Sequence, residues 1–151
     1  MRNIVLIGMP ASGKSTIGKM LADEIEYKYF DADHHLEKQE NRKISDIFAE
    51  DGEDYFRNLS ELSQKENIII STGGGAVKRK ENIDLVKKSG IVIFLNRKIE
   101  DIAKENHKNR PLLQDISNLK KLYCERIGLY NKYADVVVEN DDTLENVVKK
   151  I

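Results

Sequence analysis

Ile4-Val5-Leu6-Ile7 followed by Gly8-Met9-Pro10-Ala11-Ser12-Gly13-Lys14-Ser15 sets the frame for the whole chain. The first four residues are apolar and mostly β-branched, which suits a short strand buried on both faces. The next eight match G-x-x-x-x-G-K-[ST] in full, and Ile17, Met20, Leu21 and Ile25 then recur at helical spacing over Ser15–Ile25. Strand, glycine loop, helix is the order that phosphate binding requires. Backbone N–H groups of the loop and of the helix N-terminus converge on a phosphate, Lys14 reaches the β/γ oxygens, and the Ser15 hydroxyl is placed for Mg²⁺. An ordinary glycine turn is the alternative. The full match and the flanks of the right type count against it.

Working outward, short apolar runs at Tyr29–Phe30, Ile68–Ile70, Ile91–Leu95 and Val136–Val138 alternate with segments of helical period. Those segments are Asn58–Glu66, Asn82–Ser89, Lys98–Glu105, Ser117–Tyr133 and Thr143–Ile151. Strands alternating with helices imply βαβ units, hence a parallel sheet in a three-layer α/β/α sandwich. With no internal repeat and no long linker, 151 residues are expected to form a single domain.

Composition narrows the function classes. The 25 Lys and Arg nearly cancel the 26 Asp and Glu, so the basic excess of a nucleic-acid binder is missing. No apolar run approaches the roughly 20 residues that span a bilayer. The first apolar run is too short for a signal-peptide core. A single cysteine, Cys124, makes no internal disulfide. The expectation is a cytoplasmic, monomeric protein acting on small molecules, with neither nucleic acid nor membrane as partner. Asn131-Lys132-Tyr133-Ala134 lacks the Asp of the guanine-reading N-K-x-D motif, which argues against a GTPase.

Two further strand ends carry chemistry. In an open parallel sheet ligands bind beyond the carboxyl ends of the strands. Phe30-Asp31-Ala32-Asp33 puts two carboxylates there, able to divide the labour between Mg²⁺ and an acceptor hydroxyl. Equally, Asp33 is a fit N-cap for a helix beginning at His34. Ser71-Thr72-Gly73-Gly74-Gly75 has three glycines in a row, which suits a ligand approaching the backbone closely. A plain tight turn is the other reading.

These blocks form a series with Gly52-Glu53-x-x-Phe56-Arg57, Ala76-Val77, Asn109-Arg110-Pro111-Leu112-Leu113 and Glu125-Arg126-x-x-Leu129-Tyr130. In this order, over almost the whole chain, the series resembles the shikimate kinase family. The resemblance implies a nucleoside-monophosphate-kinase-like fold with a five-stranded parallel sheet and a mobile lid over about 106–116. It also implies MgATP-dependent transfer of the γ-phosphate to the 3-hydroxyl of shikimate. ATP contacts would come from Gly8, Ala11, Ser12, Gly13, Lys14, Ser15, Thr16 and Arg110, and Mg²⁺ contacts from Ser15 and Asp31. Asp33, Arg57, Gly73, Gly74, Gly75 and Arg126 would hold shikimate, the arginines through its carboxylate. Lys14, Asp33 and Arg110 would be catalytic, Asp33 orienting or deprotonating the attacking hydroxyl and Arg110 neutralising transition-state charge from the lid.

The chain departs from the family pattern at two positions. Ser60 stands where members carry an acidic residue that buttresses the Phe-Arg guanidinium, and the adjacent Glu61 points about 100° away on a helix. Gly128 stands where members have a proline before Leu-Tyr, which predicts a looser turn behind Arg126. Adenine contacts are expected from the loop Glu139–Asp142. His34 and His35 read as exposed helix residues, Cys124 as packed or half-exposed, and Lys78-Arg79-Lys80 as a solvated basic run with a minor role open to it in attracting an anionic substrate. Another small-molecule kinase of this fold, such as a gluconate kinase, and a binding protein without turnover are the rival readings.

Overall fold

A computed structural model describes residues 3–9, 12–40, 53–72, 79–103, 116–141 and 143–151. Five strands, β1 (Asn3–Ile7), β2 (Lys28–Asp31), β3 (Ile68–Ser71), β4 (Gly90–Asn96) and β5 (Val136–Glu139), pair in the order β2-β3-β1-β4-β5. Every pairing is parallel, so all carboxyl ends lie along one edge of the sheet. The helices described are α1 (Lys14–Ile25), α2 (Ala32–Glu40), α3 (Glu53–Ser63), α4 (Lys80–Ser89), α5 (Ile99–Ala103), α6 (Ile116–Tyr133) and α7 (Leu144–Lys150).

Alternation along the strands builds the layers. Val5 and Ile7 of β1, Ile68 and Ile70 of β3, and Val92 and Phe94 of β4 face one core, filled by Leu36 of α2, Leu59 and Leu62 of α3, Ile83 and Val86 of α4, and Leu119 and Tyr130 of α6. Leu6, Ile69, Ile93 and Leu95 face the other, with Ile17, Leu21 and Ala22 of α1 and Val147 and Val148 of α7. A period of two places successive residues on opposite faces, so a strand buried on both faces reads as an unbroken apolar run. Burying each such side chain is worth roughly 1.5–3 kcal/mol. The sandwich expected from the alternating pattern is the one observed.

The strands run one or two residues beyond their apolar runs, because Asn3, Asp31, Ser71, Asn96 and Glu139 join the ladder with polar side chains. At the opposite edge from the site, Asn3 Nδ2 donates to the Lys65 carbonyl at 2.8 Å and its Oδ1 accepts from Ile68 N at 3.2 Å, locking β1 to the entry of β3. Among the described residues no helix is long and apolar enough to cross a membrane.

Gly128 corrects one expectation. It lies inside α6, a continuous helix from Ile116 to Tyr133, so there is no turn behind Arg126 to loosen. Glycine supplies the backbone N–H that proline lacks, and the helix runs on. A methyl group at this position would meet nothing within 4 Å. Gly128→Ala is therefore expected to stabilise the protein by about 1 kcal/mol through helix propensity alone. Urea unfolding checks this, and a lower midpoint would mean that the glycine serves some contact.

Candidate active site

β1 is the central strand, and the chain leaves its carboxyl end through the glycine loop into α1. Two glycines make that exit possible. Gly8 has φ 152°, and a Cβ there would sit 2.6 Å from the Leu95 carbonyl oxygen of β4. Gly13 has φ 100°, and a Cβ there would sit 2.6 Å from Asn140 Nδ2. The backbone angle favours glycine at both positions, and at Gly8 the backbone oxygen of Leu95 leaves no space for a side chain. Gly13 is also the N-cap of α1, so no side chain caps the helix, and its first turn carries no acidic residue. The N-terminal N–H groups of α1 and its positive dipole end thus face the loop, as an anion site needs.

Lys14, only 8% exposed, folds back into this loop. Its Nζ donates to the carbonyls of Gly8 at 2.8 Å and Met9 at 2.9 Å. An ammonium held by two carbonyls in a buried loop is poised for a phosphate and loses little side-chain entropy on meeting one. Ser12 is buried, with its N–H bonded to the Met9 carbonyl at 3.1 Å. Ser15 and Thr16 are exposed on the first turn of α1. Pro10 and Ala11 lie outside the described residues.

Asp31 ends β2, and the helix that follows starts at Ala32 rather than at His34. The cap is Asp31, whose Oδ1 accepts from His34 N at 3.1 Å, so the reading of Asp33 as the N-cap is corrected. Asp33 stands within the first turn of α2, half-buried. Beside Asp31, Tyr29 turns its hydroxyl toward those of Ser15 and Ser71. Burial raises its pKa, the two hydroxyls pull it back, and the Asp31 charge adds to the rise. No described group closes a well-formed hydrogen bond on this buried oxygen. Ser15, Asp31, Tyr29 and Ser71 make a nest of oxygen donors next to the glycine loop.

The next strand end is tied down in the same way. Thr72, buried after β3, bonds the Leu6 carbonyl through its N–H at 3.1 Å and through its hydroxyl at 3.0 Å. Gly73, Gly74 and Gly75 follow it and lie outside the described residues, as do Arg110 and the expected lid except for residue 116, which opens α6.

Arg57 is exposed on α3, which begins at Glu53, five residues earlier than the apolar spacing indicates. Arg126 is half-buried on α6. Both helices pack on the same face of the sheet. Arg126 lies four residues before Tyr130, hence on the same face of α6. Tyr130 is fully buried and stacks on Phe94, with ring centroids 4.9 Å apart. Burial raises the Tyr130 pKa, against the opposing pull of the Arg126 guanidinium on its hydroxyl. Arg126 Nε is buried and has no hydrogen-bond partner among the described residues.

Several residues enter that the sequence reading overlooked. Asn58, 2% exposed, donates through Nδ2 to the Ala32 carbonyl at 2.9 Å, and its Oδ1 meets His35 Nδ1 at 2.5 Å. His35 is half-buried, edge-on to Phe30 with centroids 6.1 Å apart, and not exposed as expected. Packing of α2 on α3 covers it, and this joins the first turn that holds Asp33 to the helix that holds Arg57. From the loop after β5, Asn140 donates through Nδ2 to the Ser12 carbonyl at 2.8 Å and through its N–H to the Asn96 carbonyl at 2.7 Å. That loop is where adenine contacts are expected. Cys124 is exposed.

Comparisons with known proteins agree with this layout. The family model described as shikimate kinase matches residues 10–151. A shikimate kinase of Clostridium beijerinckii is 40% identical over 98% of this chain and 91% of its own. A shikimate kinase of Aeromonas salmonicida is 38% identical over 97% and 92%. Among solved structures, shikimate kinase from Acinetobacter baumannii in complex with shikimate superposes with a TM-score of 0.87 at 31% identity, over 99% of this chain and 90% of that one. A gluconokinase from Sinorhizobium meliloti, at TM-score 0.64 and 18% identity over 99% and 88%, shares the fold alone. A glycine loop around a buried lysine, carboxylates at the next strand end, and these matches over nearly the full length have one common reading: the chain belongs to the shikimate kinase family.

Proposed function

We propose that the protein transfers the γ-phosphate of ATP to the 3-hydroxyl of shikimate, giving shikimate 3-phosphate and ADP. The observation that carries this is Lys14, buried inside a two-glycine loop at the carboxyl end of the central strand, in a chain of this family. The phosphates of ATP lie over the loop and the uncapped N-terminus of α1, with Lys14 on the β/γ oxygens. The donor set fits magnesium: a hydroxyl at Ser15 and a carboxylate at Asp31 are hard oxygens, and among the described residues no cluster of three or more His, Cys, Asp or Glu competes for another metal. Magnesium bound there with the phosphates neutralises charge on the transferring group.

Asp33, next to this nest on α2, orients the 3-hydroxyl and takes its proton as the oxygen attacks the γ-phosphorus. The bond from that phosphorus to the β–γ bridging oxygen breaks, and ADP leaves with the electron pair. Arg57 and Arg126 grip the carboxylate, with Arg126 beside Tyr130. Gly73–Gly75 supply backbone to the acceptor pocket, and Arg110 closes over the phosphates, as the family resemblance implies. In this reading the protein works as a monomer in the cytoplasm, where ATP is supplied.

Arg126→Ala is expected to raise KM for shikimate about tenfold or more, the loss of a charge-assisted hydrogen bond, while KM for ATP moves less than twofold. The reverse ranking would refute its placement at the carboxylate. For the reaction itself, phosphorus NMR of the product of ATP and shikimate should show a phosphate ester coupled to the proton on carbon 3. An ester on another oxygen, or no ester, would overturn the proposal.

A further inference from the structure

A cavity of about 490 Å³ opens between α3 and α4, lined by Phe56, Arg57, Ser60, Arg79 and Glu81. Arg79, from the basic run read as a solvated face, lines it across from Arg57. Arg79 is the N-cap residue of α4, in extended backbone with φ −111°, and its side chain makes no capping bond. Its Nη1 stands 3.6 Å from Glu81 Oε1, with the two side chains 47% and 55% exposed. An ion pair so open to water is weak and readily exchanged. Ser60, where the family pattern has an acid, adds no charge. Among the described lining residues Arg57, Arg79 and Glu81 are the charged ones, and Arg79 stands at the positive end of a ten-residue helix. Phe56 supplies an apolar wall. The cavity is open to solvent and of a size that takes a small molecule, and its arginines suit an anionic one.

We infer that Arg79 is a third cationic contact for the carboxylate of the acceptor, beside Arg57 and Arg126, exchanging Glu81 for it when the acceptor binds. This inference rests on the proposed function. Ser60 leaves this wall without the acid of the family pattern, and Glu81 occupies Arg79 until the acceptor arrives. Arg79 thereby favours acids over neutral polyols, and Glu81 acts as an internal competitor.

The test compares KM for shikimate and for ATP in the wild type, R79Q, R79K and E81Q, at low and moderate salt. R79Q should raise KM for shikimate about tenfold, as the loss of one charged hydrogen bond does, leave KM for ATP within twofold, and flatten the salt dependence of the shikimate term. R79K should recover most of the loss. E81Q should lower KM for shikimate, a sign opposite to that expected if the pair merely steadied the start of α4. An unchanged KM in R79Q, equal rises in both KM values, or a higher KM in E81Q would overturn the inference while leaving the proposed function standing. If the wild type itself does not turn over shikimate, the proposed function fails, and the role of Arg79 fails with it.

Discussion

Lys14→Ala is expected to lower kcat on the order of 10²–10³-fold or more, the loss seen when a preorganised donor to transition-state charge is removed. Lys14 is 8% exposed and its ammonium is already held by the Gly8 and Met9 carbonyls, so water has little room to take its place. The same two bonds mean that the variant also loosens its loop. Lys14→Gln separates the effects, since an amide can still donate to a carbonyl but brings no positive charge. Thermal unfolding of the glutamine variant should stay near the wild type while its turnover stays near that of the alanine variant. Turnover within tenfold of the wild type in either variant would remove the loop from the chemistry.

Asp33→Asn is expected to cut kcat by roughly 10²–10⁴-fold, the usual contribution of a positioned general base. The substitution keeps the shape of the side chain and leaves the capping bond of α2 intact, because that bond belongs to Asp31. Circular dichroism should therefore be unchanged. The competing role for Asp33 is a carboxylate in the first turn of α2, where it complements the helix dipole. That role is worth about 0.3–1 kcal/mol of stability and no rate at all. A near-normal kcat with a small fall in stability would assign Asp33 to that structural duty.

The sheet was legible from the sequence because all five strands centre on short apolar runs, the signal of a buried strand in β1, β3 and β4, although the edge strands β2 and β5 leave Lys28, Val136 and Val137 exposed. Their ends were less so. Asn3, Asp31 and Glu139 pair in the ladder, but nothing in a polar side chain announces it. Gly8 and Gly13 of the loop were legible as single residues, since their positive φ leaves few alternatives there. Contacts between distant segments were not. Asn140 and Ser12 are 128 residues apart, and Asn58 and His35 are 23 apart on different helices. No local pattern marks such a pair before the helices pack. Arg79 looked like one member of a basic run for the same reason: only the approach of α4 to α3 sets it opposite Arg57. The cap of α2 went to Asp31 instead of Asp33 because the chain turns helical directly from the strand end, with no intervening loop.

The transfer of phosphate to shikimate is tested most directly by ADP release from MgATP in a coupled assay, run with shikimate, with gluconate and with no acceptor. Strong stimulation by shikimate, with gluconate at the level of the blank, is the predicted result. Stimulation by gluconate alone, or by neither acid while ATP still binds, would contradict it.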